Sequence, residues 1–152
     1  MHSHNVAHLD ISLQNLVTDS KGHYACIDYE NSRHFSPTIQ SHLLYNYRGT
    51  EMPPECEGQT RVNPFKVDIW SLGVLMLRTS KVRQTKKYVT TKLLTFWDQL
   101  TGHWIPELMD IISPMLNEKP VCRPPANNIL QTFKKIVASL EDRLGPECLN
   151  FC

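Results

Sequence analysis

The sequence predicts a mainly α-helical domain that carries a small β-hairpin near its N-terminus. Two observations predict the helices: residues 65–78, FKVDIWSLGVLMLR, are apolar on nearly every side, and residues 129–144 repeat apolar side chains with a helical period. A third predicts the hairpin, because two short segments rich in β-favouring residues flank DSKG at 19–22. The chain has 152 residues, which suffices for one globular domain with a sizeable core.

The predicted hairpin joins LVT at 16–18 to HYACI at 23–27. If Lys21 and Gly22 form a two-residue turn, opposed positions sum to 43. Asn15 then faces Asp28, with Cβ atoms roughly 5 Å apart. A four-residue loop centred differently would shift this register.

The remaining elements follow in chain order. Residues 34–66 show no sustained period and are rich in proline, which predicts a long loop of functional importance or disorder. A basic linker at 80–88 follows the buried helix, and shorter helices are expected at 93–100 and 105–116. In the second of these, Pro106 suits a first turn and Pro114 should bend or end the helix. The last helix carries an apolar stripe and should end at Gly145-Pro146. The residues of that stripe are Ile129, Phe133, Ile136, Val137, Leu140 and Leu144.

Composition excludes several classes of function. A net charge of +1 gives no sign of a nucleic-acid or membrane partner held by bulk electrostatics. The longest apolar stretch, residues 69–77, is too short to span a bilayer, and no basic-then-apolar secretion signal opens the chain. Five cysteines without CxxC spacing argue against a disulfide scaffold. We therefore expect an intracellular protein, cytoplasmic or nuclear.

Three oxygen-bearing side chains surround the hairpin. Asp10 precedes it, Asn15 enters it and Asp28 leaves it. Carboxylate and amide oxygens are ligands that Mg²⁺ takes alongside phosphates, and a further carboxylate can accept a proton from a hydroxyl. The alternative is that all three are turn or capping residues. A metal site of His2, His4 and His8 is a second alternative, although no matching second cluster accompanies these histidines.

Five motifs resemble the protein-kinase family in order and approximate spacing. HLDISLQN at 8–15 is similar to the catalytic loop H-R-D-x-x-x-x-N, DYE at 28–30 to D-F-G, and MPPE at 52–55 to A-P-E. VDIWSLGVLML at 67–77 resembles the buried helix that follows, and CRPP at 122–125 the arginine segment before the final helix. The resemblance runs from about residue 5 to residue 144 and covers only the C-terminal lobe of a protein kinase.

The resemblance implies a role for each matching residue near the hairpin. Asp10 would be the catalytic base that orients and deprotonates a Ser, Thr or Tyr hydroxyl of a protein. Asn15 and Asp28 would be the Mg²⁺ ligands at the bound ATP, and Val17 would form the apolar floor under adenine. His8 is the histidine of the catalytic-loop motif and has a structural role.

Three further residues would have structural roles. Asp68 would tie the central helix to the backbone of the catalytic loop. Glu55 and Arg123 would form an ion pair that clamps the middle loop onto the helices. The implied division is 1–30 for the catalytic loop and metal-binding hairpin, 31–64 for the activation and substrate loop, 65–145 for the helical part and 146–152 for a short tail.

The sequence also departs from the family pattern. Leu9 replaces the arginine of H-R-D, Ser12 replaces the lysine two residues after the aspartate, and Glu30 replaces the glycine of D-F-G. Thr50 stands closer to the proline-glutamate motif than the family's threonine does. The chain also contains no Gly-rich loop and no V-A-I-K lysine.

These departures leave more than one functional hypothesis. The first is a protein-kinase phosphotransferase, present here as a partial domain that is weak or inactive by itself. The alternatives are a catalytically inactive, kinase-like binding module and an incomplete gene product. All but the last imply a protein substrate or a protein partner.

Overall fold

A computed structural model describes residues 1–19, 21, 23–36, 43–57, 61–81 and 107–144. Several predictions fall outside these residues: the helix at 93–100, most of the basic linker at 80–88, the Gly145-Pro146 helix end and the tail at 146–152. In the described residues the chain forms three α-helices and small antiparallel strand pairs. This confirms the mainly helical fold with a β-hairpin near its N-terminus.

Helix α1, Pro64–Lys81, is the central helix that the sequence predicts. It begins one residue earlier than expected because Asn63 caps it: the Asn63 Oδ1 accepts hydrogen bonds from the amides of Phe65 at 3.0 Å and Lys66 at 3.3 Å. Pro64 occupies the first turn, where its missing N–H costs nothing. No residue from Pro64 to Leu77 is exposed, which confirms the prediction of a buried helix.

Two further helices pack on α1 and on each other. Helix α2 is Glu107–Met115 and includes Pro114 one residue before its end, as the predicted stop requires. Helix α3 is Ala126–Leu144. Ile129 and Leu140 of its predicted stripe are buried, whereas Phe133 is exposed, so the stripe that packs is narrower than the periodicity suggests.

The helices share an apolar core in two parts. The first part comprises Ile69 of α1, Ile111 and Met115 of α2, and Ile129 of α3. The second comprises Leu108, Ile112 and Leu140. Gly73 lets α1 and α2 approach closely, because a Cβ at this position would lie 3.0 Å from the Met115 Cβ. None of the described helices is long and apolar enough to cross a membrane.

Short strands pair in front of the helices, and all the pairs described are antiparallel. Strand β1, Val6–Ala7, pairs with β4, Arg33–His34; β2, Leu16–Thr18, pairs with β3, Tyr24–Cys26; and β5, Leu44–Tyr45, pairs with β6, Arg61–Val62. The sequence predicts only β2 and β3. The other strands have two residues each and are too short to produce a visible period.

The predicted register of the hairpin is wrong by one residue. Leu16 pairs with Cys26 and Val17 with Ala25, so opposed positions sum to 42 rather than 43. The turn is the reason: the Asp19 amide donates to the His23 carbonyl at 3.0 Å, which makes a three-residue loop centred on Lys21. Asn15 therefore lies opposite Ile27, whose amide donates to the Asn15 carbonyl at 2.9 Å, and not opposite Asp28.

Asp19 holds this longer turn together with its side chain. Its Oδ1 accepts hydrogen bonds from the amides of Lys21 at 2.8 Å and His23 at 2.9 Å, and its Oδ2 lies 2.8 Å from the His23 Nδ1. The side chain and backbone of His23 lower the pKa of Asp19, so the carboxylate form that makes these bonds is favoured.

An apolar cluster separate from the core of the helices joins the strands to α1. Ala7, Leu9, Leu44, Val62 and Val67 are all buried in it. Ala7 is in β1, Leu44 in β5 and Val62 in β6, while Val67 belongs to the first turns of α1. The cluster therefore fixes the loop that begins at His8 against the N-terminal half of α1.

Candidate active site

Asp68 anchors the start of the loop that contains Asp10. The carboxylate is 2% exposed. Its Oδ2 accepts a hydrogen bond from the His8 amide and its Oδ1 one from the Leu9 amide, both at 2.8 Å. Both amides point at the same carboxylate, and Leu9 itself adopts a left-handed conformation with φ 65°. This contact between α1 and the loop is the one that the sequence resemblance implies for Asp68.

His2 completes the surroundings of Asp68, a role that its sequence context does not predict. Its Nε2 lies 2.8 Å from the Asp68 Oδ2, and its ring meets the Phe65 ring edge-on at 5.0 Å. His2 and Asp68 are 66 positions apart, and no local pattern in a single sequence predicts such a contact. Among the described residues, no group of three or more His, Cys, Asp or Glu side chains is placed to hold a metal ion.

Asp10 and Asn15 are in direct contact. The Asn15 Nδ2 donates to the Asp10 carbonyl at 2.9 Å and to the Asp10 Oδ2 at 3.0 Å. The other carboxylate oxygen, Oδ1, accepts a hydrogen bond from the Thr50 amide at 3.0 Å. The carboxylate is therefore oriented by donors from two segments of the chain, one of them 40 residues away.

The surroundings of Asp10 favour its ionised form. Partial burial raises the pKa of its carboxyl, but hydrogen bonds from the Thr50 backbone and side chain and from Asn15 outweigh this and lower it. Asp10 is thus a carboxylate at neutral pH. An ionised carboxylate beside an open loop can orient a hydroxyl and accept its proton.

His8 is buried beneath Asp10 and links it to the segment after the hairpin. Its Nδ1 accepts a hydrogen bond from the Asp10 amide at 3.3 Å, and its carbonyl accepts one from the Ser32 hydroxyl at 3.2 Å. Its ring lies 5.0 Å from the Tyr29 ring. Within the described part of the chain, the His8 Nε2 and the Ser12 Oγ are buried without a hydrogen-bond partner.

Asp28 lies at the exposed end of the hairpin. It follows Ile27, the residue paired with Asn15, and it adopts φ 62°. Its Oδ1 accepts a 3.4 Å hydrogen bond from the Glu30 amide and is otherwise open to solvent. Asp28 therefore directly follows the residue that pairs with Asn15, and no hydrogen bond joins the two side chains. Val17 is 42% exposed in the middle of β2, opposite Ala25.

Asn15 and Asp28 supply oxygen donors of the type that suits Mg²⁺. The Asn15 amide nitrogen is engaged by Asp10, which leaves its Oδ1 as the atom able to bind a cation. Mg²⁺ usually takes one or two protein oxygens and completes its octahedron with phosphate and water. By their chemistry, these two oxygen donors suit a magnesium ion that is bound together with a phosphate.

Glu55 and Arg123 form a buried bidentate ion pair. The Arg123 Nη1 and Nη2 donate to the Glu55 Oε1 and Oε2, each at 2.6 Å. The guanidinium also donates to the carbonyls of Asn117 at 2.8 Å and Lys66 at 2.9 Å, and it lies over the Trp70 ring at 4.8 Å. This pair joins the loop before β6 to α1 and to the segment before α3.

Known proteins resemble this chain throughout the region that holds these contacts. At the level of individual relatives, the chain is 28% identical over 141 residues to the mitogen-activated protein kinase kinase kinase ANP1 of Arabidopsis thaliana, covering 86% of this chain and 21% of that protein. It is 36% identical over 77 residues to the probable serine/threonine-protein kinase MARK-B of Dictyostelium discoideum, covering 49% of this chain and 10% of that protein.

Human serine/threonine-protein kinase ULK3 is 35% identical over 80 residues, half of this chain and 16% of that protein. The chain thus spans about a fifth or less of the length of these relatives. A family model described as the protein kinase domain matches residues 1–133, which include Asp10, Asn15, Asp28, Asp68 and Arg123. The chain therefore belongs to the protein kinase domain family.

Proposed function

We propose that this chain is the C-terminal lobe of a protein kinase that transfers the γ-phosphate of ATP to a serine or threonine hydroxyl of a protein. Support for the acceptor comes from relatives that are named serine/threonine-protein kinases. The same proposal divides the chain into 1–30, 31–64, 65–145 and a tail at 146–152, as the motifs suggest. Its protein substrate or partner would be met in the cytoplasm or nucleus.

Asp10 is the proposed catalytic base. Its contacts with Asn15 and Thr50 are the observation that carries the proposal, because they orient one ionised carboxylate at an open loop. Asp10 would accept a hydrogen bond from the acceptor hydroxyl and then its proton. Phosphoryl transfer depends mainly on such positioning and on charge stabilisation.

Asn15 and Asp28 are the proposed ligands of Mg²⁺, and Val17 the proposed contact of the adenine ring. When bound, the metal ion would neutralise charge on the phosphates. The exposure of Asp28 and Val17 on the same hairpin is compatible with a nucleotide lying across it. His8, Asp68, Glu55 and Arg123 hold the frame around these groups.

A binding assay and a transfer assay test the proposal together. The purified chain should melt at a higher temperature with ATP and Mg²⁺ than with either alone, because a ligand of the native state stabilises it. With labelled ATP and Mg²⁺, the chain should give weak phosphate incorporation, and Asp10→Asn should abolish it.

The matched control is Asp110→Asn, which removes an exposed carboxylate on α2, far along the chain from the site. This variant should retain the binding and any phosphate incorporation. Phosphate incorporation that persists in Asp10→Asn would contradict the assignment of Asp10 as the catalytic base. No Mg²⁺-dependent stabilisation by ATP would contradict a nucleotide-binding function altogether.

A non-catalytic binding module is the second candidate, and the position of Leu9 favours it. Leu9 stands where the family has an arginine, and its side chain is 3% exposed inside the cluster with Ala7 and Val67. An apolar side chain there cannot hold a phosphorylated loop. Under this proposal the chain would bind a partner protein without responding to ATP, which the melting experiment distinguishes.

A further inference from the structure

Segment 47–51 links Asp10 to one face of helix α1. At one end, the Thr50 amide donates to the Asp10 Oδ1 at 3.0 Å. At the other, Glu51 forms an ion pair with the Nη1 of Arg78 in α1.

Glu51 depends on Arg78 for its place in the fold. Its side chain is only 9% exposed, while that of Arg78 is 55% exposed and reaches in from the surface. A buried carboxylate is costly unless a charged or hydrogen-bonding partner compensates it. Without Arg78, Glu51 would move towards water. If the Glu51 backbone shifts, the Thr50 amide shifts as well, because the two residues are joined directly by a peptide bond.

The segment has little room to adjust in any other way. A Cβ at Gly49 would lie 1.9 Å from the Tyr47 hydroxyl and 2.9 Å from the Leu9 carbonyl. The backbone at Gly49 therefore runs directly against the loop that holds Asp10. The Tyr47 hydroxyl also donates to the Glu51 carbonyl at 3.3 Å, which closes the segment on itself.

We infer that Glu51 and Arg78 are positioning residues that keep the Thr50 amide on the Asp10 carboxylate. The inference deepens the proposed function and rests on it in one respect, namely that Asp10 is the base whose orientation matters. Arg78 acts on Asp10 only through Glu51 and Thr50. It makes the orientation of the carboxylate depend on the C-terminal half of α1 as well as on Asn15.

The Thr50 amide resonance in nuclear magnetic resonance spectra of the full chain tests this inference. In the unaltered chain, this amide should exchange slowly with solvent. Arg78→Gln should shift the resonance and speed the exchange, while the His8 and Leu9 amides, which Asp68 holds, should keep their protection. Arg78→Lys keeps the positive charge and should restore the slow exchange of the Thr50 amide.

Arg143→Gln is the matched control, because Arg143 pairs with Glu107 on the surface between α2 and α3. It should leave the Thr50 resonance unchanged. A fast-exchanging Thr50 amide in the unaltered chain overturns the contact without any variant. An unchanged Thr50 resonance in Arg78→Gln, or no recovery in Arg78→Lys, overturns the role of Arg78. Neither readout uses ATP, so the inference can fail while the proposed function stands, and the reverse.

Discussion

At the scale of single residues, Asp68 shows how one buried charge can set a backbone conformation. Its carboxylate accepts hydrogen bonds from the amides of His8 and Leu9 and also contacts the Nε2 of His2. These contacts offset the cost of burying the carboxylate, since hydrogen bonds to a charged group are the strong ones. Leu9 has a left-handed φ of 65°, which is costly for a leucine, and its place between the anchored amides and the apolar cluster around its side chain maintains it.

We expect Asp68→Asn to lower the free energy of unfolding by about 2–4 kcal/mol. The amide keeps one acceptor oxygen but turns an NH₂ group towards a backbone N–H, and each hydrogen bond to a charge is worth about 1.5–3 kcal/mol. Urea unfolding measures the loss, and hydrogen exchange should show faster opening at the His8 and Leu9 amides. The exposed Glu118→Gln should change stability by no more than about 0.5 kcal/mol. Equal stability of Asp68→Asn and the unaltered chain would contradict this account.

At the scale of elements, the contact between α1 and α2 depends on a residue without a side chain. Gly73 is a poor helix former, and on propensity alone alanine would be better by about 1 kcal/mol. The added Cβ would however lie 3.0 Å from both the Met115 Cβ and the Leu116 Cδ2. The Met115 Cβ is fixed to the α2 backbone and has little freedom to move.

Gly73→Ala should therefore fail to stabilise the chain. The gain in helix propensity of about 1 kcal/mol is opposed by an overpacking cost of about 1–3 kcal/mol, so we expect between no change and a loss of about 2 kcal/mol. Ser139→Ala, on the exposed face of α3, is the comparison and should stabilise by a few tenths of a kcal/mol. Thermal and urea unfolding measure both. If Gly73→Ala instead stabilised the chain by the full propensity difference, the prediction would be wrong, because α2 would have moved to accommodate the added methyl group.

The hairpin shows a limit of sequence reasoning at the same scale. The strands β2 and β3 could be predicted, because their residue types favour strands and DSKG favours a turn. The register could not, because Asp19 adds a hydrogen-bonded position that makes the loop three residues long. A single residue of slip exchanges opposed partners along the whole hairpin, so Asn15 meets Ile27 instead of Asp28.

At the scale of the whole molecule, α1 is the element on which the separate segments converge. Asp68 holds the loop before Asp10, and Arg78 holds the segment that contains Glu51. Glu55 pairs with Arg123, which is 68 residues away in sequence. Arg123 in turn contacts α1, because its carbonyl accepts a hydrogen bond from the Lys66 amine. The loop-rich part of the chain before α1 is therefore held to this helix by long-range polar contacts in addition to apolar packing.

Breaking the Glu55–Arg123 pair should destabilise the whole molecule. In Glu55→Gln the guanidinium remains buried without its counter-charge, and we expect a loss of about 3–5 kcal/mol in the free energy of unfolding. Glu107→Gln breaks an exposed pair with Arg143 and should cost far less. Urea unfolding of both variants gives the comparison. Similar losses in the two variants would mean that the Glu55 site is more hydrated than its 5% exposure indicates.

The sequence by itself determined the helical class, the helices α1, α2 and α3, the hairpin strands, and the motifs that carry Asp10, Asn15 and Asp28. The helices and strands depend on periodicity and local propensity, which a single chain displays, whereas the motifs are identified by their resemblance to the protein kinase family. The tertiary structure decided the contacts of His2 with Asp68, of Thr50 with Asp10 and of Glu51 with Arg78. Such contacts join positions 27–66 residues apart, and the packing of segments on α1 selects which polar side chains meet.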